Sequence, residues 1–184
     1  MNSTFYQLPS DNTIDSWAAK VPGNFRFSLR CHKDLTHKYM ISPVEQACQI
    51  LEKHIRICQR LGSKLLVLET PRSFDPNKSI PEIQDLMSST SFNDVRIVWE
   101  IRWGPPGDKL IRLMQDFNIV HSVDLSRESN PAFGSDILYS RLFGHGWKVI
   151  DISRDHRVHA KVLLEKLTDS KYESISDVIN NLRL

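Results

Sequence analysis

The chain has 184 residues, of which 40% are hydrophobic and 25% are charged, and its formal net charge is +2 at pH 7. This is the composition of an ordinary globular protein, and the length suits a single domain over residues 1–184. No apolar run approaches the roughly 20 residues that a bilayer-spanning helix needs, so a membrane partner is not expected. The mildly basic charge by itself argues neither for nor against a nucleic-acid partner.

The N-terminus and the cysteines indicate a cytoplasmic protein. Met1–Thr4 carries no basic patch followed by an apolar stretch, so no signal peptide is expected. The three cysteines, Cys31, Cys48 and Cys58, form no CxxC pair, and an odd, sparse set is typical of a reducing compartment. Cys48 and Cys58 lie in a helical run, where we expect them to act as small buried hydrophobic residues.

Helix-like and strand-like runs alternate along the chain, which predicts an α/β fold with a parallel sheet. The predicted helices are Asp11–Lys20, the run between Ser42-Pro43 and Gly62, Ile80–Met87, Lys109–Phe117 and His156–Leu167. The predicted strands are Phe25–Lys33, Lys64–Pro71, Val95–Arg102, Ile119–Leu125, Ile137–Gly144 and, more weakly, Ser174–Asn181.

The second predicted helix has the clearest boundaries. Ser42 is a suitable N-cap, Pro43 suits the first helical turn, and Gly62 is a natural C-terminal cap. Its basic side chains are predicted to form a solvated face and not a nucleic-acid patch. These side chains are Lys53, His54, Arg56 and Arg60.

Side chains alternate between the two faces of a strand, and in Val95–Arg102 the two faces differ in chemistry. The apolar face suits packing against helices, and it consists of Val95, Ile97, Trp99 and Ile101. The other face carries Arg96, Val98, Glu100 and Arg102. In a barrel this charged face points into the lumen, and its last two charges lie at the C-terminal end of the strand, where such barrels build their sites.

The other predicted strands also place charge near their C-terminal ends. The residues concerned are Arg30 and His32, Glu69, Asp124, and Arg141, on four different strands. Buried charge is costly unless it is paired or used, so one shared polar site explains these positions economically. His121 has the opposite parity, and we interpret it as a structural histidine on the helix-facing side.

The same strand ends carry motifs of a known family. In chain order they are Asn2-Ser3-Thr4-Phe5-Tyr6, Leu8-Pro9-Ser10 with Trp17, Phe27–Arg30 with Leu35-Thr36-His37, Glu69-Thr70-Pro71 with Ser73-Phe74, Trp99-Glu100-Ile101-Arg102, His121-Ser122-Val123-Asp124 and Tyr139-Ser140-Arg141-Leu142-Phe143-Gly144. In this order and spacing the chain resembles the YecE-like family, also called domain of unknown function 72. The resemblance implies a TIM-type (β/α) barrel with its site at the C-terminal strand ends, and a reaction that is not established.

The chain departs from the family pattern in two respects. Arg30, Glu69 and Phe143 stand where the family usually has lysine, glutamine and histidine, which adds a negative charge and removes a proton carrier. The family also has a strand, a helix and a second strand before the motif that begins here at Asn2, and a final helix after the last strand. The resemblance therefore predicts a barrel that is incomplete at both ends, with an open edge beside Phe25–Lys33. Such a barrel would either self-associate through that edge or be only marginally stable.

These observations select candidate site residues. The candidate catalytic residues are Glu100, Asp124 and His37, and the candidate ligand-binding residues are Asn2, Thr4, Tyr6, Arg30, His32, Glu69, Arg102 and Arg141. Three guanidinium groups favour an anionic ligand such as a phosphate or a carboxylate. Alternatively they neutralise the three carboxylates, and the site then takes a polar neutral ligand such as a sugar. Neighbouring guanidinium groups repel a cation, so no metal and no cofactor is expected.

Two hypotheses for the function follow. In the first, the protein is an enzyme, a hydrolase, lyase or isomerase, that acts on a small polar or anionic substrate at the strand ends. In the second, it is a binding or nucleic-acid-associated protein that has lost activity. The sequence contains no Gly-rich nucleotide loop, nucleophile elbow or P-loop that would identify a reaction.

Overall fold

Helices and strands alternate along the part of the chain that the computed structural model describes, residues 1–124 and 130–141. The chain divides into two units, Met1–His121 and Ser122–Leu184. The predicted helix His156–Leu167 and the predicted strand Ser174–Asn181 lie outside the described residues. Within the described ranges, no helix is long and apolar enough to cross a membrane.

Four helices and five strands make up the regular structure of the described residues. The helices are α1 (Asp11–Ala19), α2 (Glu45–Arg60), α3 (Ile80–Ser88) and α4 (Asp108–Asp116). The strands are β1 (Ser28–Arg30), β2 (Leu65–Thr70), β3 (Arg96–Ile101), β4 (Val120–Val123) and β5 (Tyr139–Ser140). Short helical turns lie at Ser3–Phe5, Asp34–Lys38 and Pro76–Lys78.

Neighbouring strands pair in parallel and in chain order, which confirms the predicted α/β class. In the first unit β1 pairs with β2, β2 with β3, and β3 with the first half of β4, where Trp99 lies opposite His121. In the second unit, Ser122 and Val123 of β4 pair with Tyr139 and Ser140 of β5. Parallel neighbours require a crossover, and α2, α3 and α4 provide it between β1 and β2, β2 and β3, and β3 and β4.

The predicted division of β3 into an apolar and a charged face is confirmed. Ile97 and Trp99 are buried, and Leu66 and Leu68 lie opposite them on β2 in the same register. The Trp99 indole N–H donates to the Thr70 hydroxyl over 3.2 Å, so the one polar group of this large buried side chain has a hydrogen-bond partner. Because this face is filled by apolar side chains, the charges of β2 and β3 must lie on the other one.

β1 is much shorter than the predicted Phe25–Lys33. Its ladder to β2 covers only Ser28–Arg30, and the Cys31 N–H adds one further bond, to the Val67 carbonyl, over 2.8 Å. Phe25 is largely exposed, and a helical turn begins at Asp34. The alternation of apolar and polar residues in Phe25–Lys33 therefore covers more residues than the hydrogen-bonded ladder to β2 does.

The outer edge of β1 is bonded to the N-terminal segment. The backbone nitrogen of Met1 donates to the Ser28 carbonyl, and the Arg30 N–H donates to the Met1 carbonyl over 3.1 Å. The Thr4 hydroxyl donates to the Arg30 carbonyl over 2.6 Å. The hypothesis of an unpaired edge is therefore wrong at Ser28 and Arg30, while self-association itself stays a prediction.

α2 begins two residues later than predicted. Val44, in extended conformation, is the N-cap, and its carbonyl accepts the first helical bond, from Ala47, over 2.9 Å. Ser42 therefore lies two residues before the N-cap, outside the helix, and does not cap it.

The predicted C-terminal cap of α2 is confirmed. Gly62 has φ +61°, a left-handed conformation that glycine adopts without a Cβ clash. The Gly62 N–H donates to the Gln59 carbonyl and the Ser63 N–H donates to the Cys58 carbonyl, the pair of bonds that defines a Schellman motif.

His54 is fully buried, and its predicted place on a solvated face of α2 is wrong. Its Nε2 accepts the backbone N–H of His32 over 3.1 Å, and its Nδ1 lies 2.8 Å from the Ile50 carbonyl, to which it donates. This pair of bonds fixes a neutral imidazole that ties α2 to the segment leaving β1. Burial lowers the pKa of His54.

Acid should destabilise the protein through this histidine. Because the pKa of His54 is lower in the folded than in the unfolded chain, its contribution is complete above the unfolded pKa of about 6.5 and is lost as the pH falls below that value. We expect the free energy of unfolding, measured with urea from pH 7.5 to pH 5.0, to fall by up to about 1.4 kcal/mol per pH unit from this group.

His54→Gln keeps an acceptor for the His32 N–H and does not titrate. We therefore expect the free energy of unfolding to fall less steeply with decreasing pH for the variant than for the unchanged protein. Above pH 7 the two proteins should show nearly the same slope. Burial also lowers the pKa values of His37 and His121, so part of the dependence should remain. Equal slopes for the two proteins below pH 6.5 would contradict this assignment.

Candidate functional site

Four charged side chains meet at the C-terminal ends of β1, β2 and β3. Arg30 is the last residue of β1, Glu69 and Glu100 lie opposite one another near the ends of β2 and β3, and Arg102 follows β3 directly. The register places all four on the face that is not packed with apolar side chains. We call Arg30, Glu69, Glu100 and Arg102 the charged cluster.

Glu69 is the centre of the charged cluster. Its Oε1 accepts from Nη2 of Arg30 in a close ion pair and from Nη1 of Arg102 at 3.0 Å. Only 2% of the Glu69 side chain is exposed. A carboxylate so removed from water needs such partners, because desolvation of an unpaired charge costs several kcal/mol.

Arg102 links Glu69 to the second carboxylate. Its Nε donates to Oε1 of Glu100 over 2.8 Å, so one guanidinium group bridges the acids of two neighbouring strands. The side chain of Arg102 is 36% exposed, whereas Arg30 and Glu100 are far less accessible. The charged cluster thus has a buried end at Arg30 and Glu69 and a solvent-facing end at Arg102.

An aromatic ring supports the buried end. The Arg30 guanidinium carbon lies 3.5 Å from the centre of the Phe5 ring, a cation–π contact. The Phe5 ring also meets His37 edge to face at 5.5 Å between centroids. Sequence reasoning gave Phe5 no role, although its position inside the Asn2–Tyr6 motif was the available signal.

His37 lies in the helical turn after β1, within electrostatic reach of the charged cluster, and its catalytic role stays a prediction. Burial lowers the pKa of His37; the Glu69 carboxylate opposes this shift, and the guanidinium groups of Arg30 and Arg102 add to it. The imidazole is therefore neutral near pH 7 and able to accept a proton. Its Nδ1 lies 2.8 Å from the Thr36 hydroxyl, which orients the ring.

The loop that carries His37 has an unusual backbone. Asp34–Lys38 forms a single π-helical turn, and Met40 and Ile41 follow with φ +50° and φ +57°. The left-handed conformation is unfavourable for a β-branched residue such as Ile41, whose side chain is fully buried. Both π-turns and strained residues are concentrated at functional sites, because the surrounding fold must hold them in place.

The other predicted ligand contacts of the first unit have structural partners. His32 Nε2 donates to the Tyr6 carbonyl over 3.1 Å, and His32 Nδ1 accepts from the Asp34 N–H over 3.2 Å, so both ring nitrogens are engaged. Thr4 is buried against β1. Asn2 and Tyr6 are exposed, and the Asn2 carbonyl accepts from the Phe5 N–H. A ligand contact at each of these positions stays a prediction.

Two predicted site residues belong to the second unit. Asp124 directly follows β4, and Arg141 directly follows β5, so both have the predicted strand-end position. The Arg141 N–H donates to the Val123 carbonyl over 3.1 Å, which extends the pairing of these two strands. Phe143, the departure from the family pattern, lies outside the described residues.

Metal ligands are not grouped in the described ranges, 1–124 and 130–141. No three His, Cys, Asp or Glu side chains are arranged there to hold a metal ion. Cys31, Cys48 and Cys58 are free thiols, and burial raises the pKa of Cys58 to about 12, which makes it an inert thiol at neutral pH.

A comparison with protein families matches almost the whole chain. Residues 1–178 match the family described as "Protein of unknown function DUF72". No curated protein and no solved structure matches the chain. The family resemblance inferred from the motifs is confirmed.

The buried ion pair gives a stability prediction. Glu69→Leu leaves Arg30 buried without its carboxylate, and we expect a loss of about 3–5 kcal/mol in the free energy of unfolding. The double variant Arg30→Met/Glu69→Leu removes both charges, so it should lose less than the sum of the two single variants. Urea unfolding of the three variants measures the coupling.

An exposed pair provides the matched control. Asp94 pairs with Lys64 near the opposite ends of the strands, and both side chains are more than half exposed. Asp94→Asn should cost less than about 1 kcal/mol, because water screens such a pair. Strictly additive losses at Arg30 and Glu69 would show that the two residues do not stabilise one another.

Proposed function

We propose that the charged cluster binds a small polar or anionic ligand. This chain belongs to the DUF72 family, which is described only as being of unknown function. The observation that carries the proposal is the arrangement of two guanidinium groups on one buried carboxylate at the ends of three parallel strands. An ion pair needed only for stability does not require a solvent-facing member. Arg102 is such a member, and guanidinium groups bind carboxylates and phosphates with two parallel hydrogen bonds.

The two carboxylates of the charged cluster, Glu69 and Glu100, differ in burial and would affect a bound ligand differently. Glu69 is too deeply buried to be displaced, so it holds Arg30 and Arg102 in fixed positions. Glu100 lies nearer the solvent and shares the Arg102 guanidinium, so it competes with an incoming anion. The charged cluster is neutral as a whole, with two positive and two negative side chains, and it therefore favours small ligands that combine an anionic group with neutral hydrogen-bonding groups.

We also propose that the parallel strands form part of an incomplete TIM-type (β/α) barrel. The chain-order pairing, the helical crossovers and the family support this architecture. In such barrels the loops at the C-terminal ends of the strands form the active site. Asp124 and Arg141 remain candidate ligand contacts of the second unit on the basis of their strand-end positions alone.

In the catalytic form of this proposal, the charged cluster and His37 convert the ligand as well as bind it. Glu100 is a carboxylate within reach of a ligand on Arg102, and His37 is a neutral imidazole beside the same guanidinium groups. A carboxylate and an imidazole of this kind suit general acid–base chemistry near neutral pH. The sparse free cysteines are consistent with activity in the cytoplasm.

Binding of simple anions tests the proposal. We would titrate the purified full chain with inorganic phosphate, with succinate and with glucose, and measure heat release and melting temperature. Phosphate or succinate should bind and raise the melting temperature. Arg102→Gln should weaken this binding at least tenfold, which corresponds to about 1.4 kcal/mol.

Two further variants sharpen the test. Arg96→Gln changes the same charge at the other end of β3, where Arg96 bonds to Asn118, and should leave anion binding unchanged. Glu100→Gln removes the competing carboxylate and should tighten anion binding, while it should abolish any turnover. Tighter binding of glucose than of either anion would favour the neutral-ligand alternative. Steeply salt-dependent binding of an oligonucleotide, without binding of small anions, would favour the nucleic-acid alternative.

A further inference from the structure

A groove between α1 and α2 is a second candidate binding site in the first unit. Its volume is about 450 Å³, which lies within the range of small-molecule pockets. Its floor is apolar and includes Leu8, Ile14 and Ile57. None of the residues of the charged cluster lines it.

One face of α2 provides a basic wall. Lys53, Arg56, Ile57 and Arg60 follow one another at spacings of three, one and three residues, so they occupy a single stripe of the helix. Ile57 is buried toward the groove floor, whereas the three basic side chains are exposed. The stripe therefore combines an apolar contact with positive charge above it.

The three basic side chains differ in their partners. Arg60 is held by two carboxylates of α1, since its Nε and Nη2 donate to Asp15 over 2.7 Å each and its Nη1 lies 3.1 Å from Asp11. Lys53 and Arg56 form no ion pair with any residue among 1–124 and 130–141. The acids near Arg60 are therefore already engaged, and two cations remain available at the groove.

We propose that this groove binds a small amphipathic anion, with its apolar body on Leu8, Ile14 and Ile57 and its charged group between Lys53 and Arg56. The apolar floor provides affinity, because the methylene groups of the ligand leave water when they pack against it. The two cations favour an anionic end group, because a carboxylate gains their electrostatic attraction and a neutral group does not. The basic residues of α2 are thus a ligand-binding wall as well as a solvated face.

Octanoate is a suitable probe, because it joins one carboxylate to a short apolar chain. We expect saturable binding of octanoate to the full chain by calorimetry, weaker binding of 1-octanol and no measurable binding of acetate. The double variant Lys53→Gln/Arg56→Gln should bind octanoate about tenfold more weakly, in keeping with two partly exposed ionic contacts. Binding should also weaken as the salt concentration rises.

The chain offers a closely matched control on another helix. Lys109 and Arg112 are exposed cations with the same spacing on α4, so Lys109→Gln/Arg112→Gln makes the same change of net charge and should bind octanoate normally. Arg102→Gln should also bind it normally, which separates this site from the charged cluster. Each variant is checked for an unchanged melting temperature before its affinity is measured.

Three outcomes would overturn the proposal. The first is octanoate binding that is the same in the Lys53/Arg56 double variant as in the unchanged protein. The second is loss of octanoate binding in Arg102→Gln, which would place the anion at the charged cluster. The third is a concentration-dependent dimer that the double variant disrupts, which would identify a second copy of the chain as the occupant of the groove.

Discussion

The ion pairs of Glu69 are the interaction on which the first unit's strand ends depend. A carboxylate that is 2% exposed at the end of β2 is stable only when neighbouring groups neutralise it. The strands on both sides provide these groups, Arg30 from β1 and Arg102 from beyond β3. Because both arginines are bound to the same acid, the three strand ends are constrained relative to one another.

This constraint extends to the N-terminal segment. The Arg30 backbone donates to the Met1 carbonyl and accepts from the Thr4 hydroxyl, and the Arg30 guanidinium group lies over the Phe5 ring. The same Phe5 ring contacts His37, whose loop is shaped by a π-turn and two left-handed residues. Residues that are far apart in the sequence are therefore joined through the backbone and the side chain of Arg30.

Solvent exposure differs between the members of the charged cluster. Arg30 and Glu69 are nearly removed from water, so their main effect is on stability and on the position of their neighbours. Arg102 is partly exposed and has bonds to both carboxylates, which leaves it suited to exchange one of these contacts for a ligand. For the first unit, the structure therefore shows neutralisation at Arg30 and Glu69, whereas ligand binding at Arg102 is what we propose.

The sequence by itself determined the α/β class, the alternation of charge and apolarity along β3, and the family, because these depend on local periodicity and on ordered motifs. It could not determine which arginine pairs with which acid, because this depends on the register between strands that are distant in sequence. Nor could it show that His54 is buried, because the helical pattern alone does not reveal that an unpaired N–H of the β1 segment lies beneath that position. The tertiary structure decided both, since a buried polar group must find its partner wherever the fold places one.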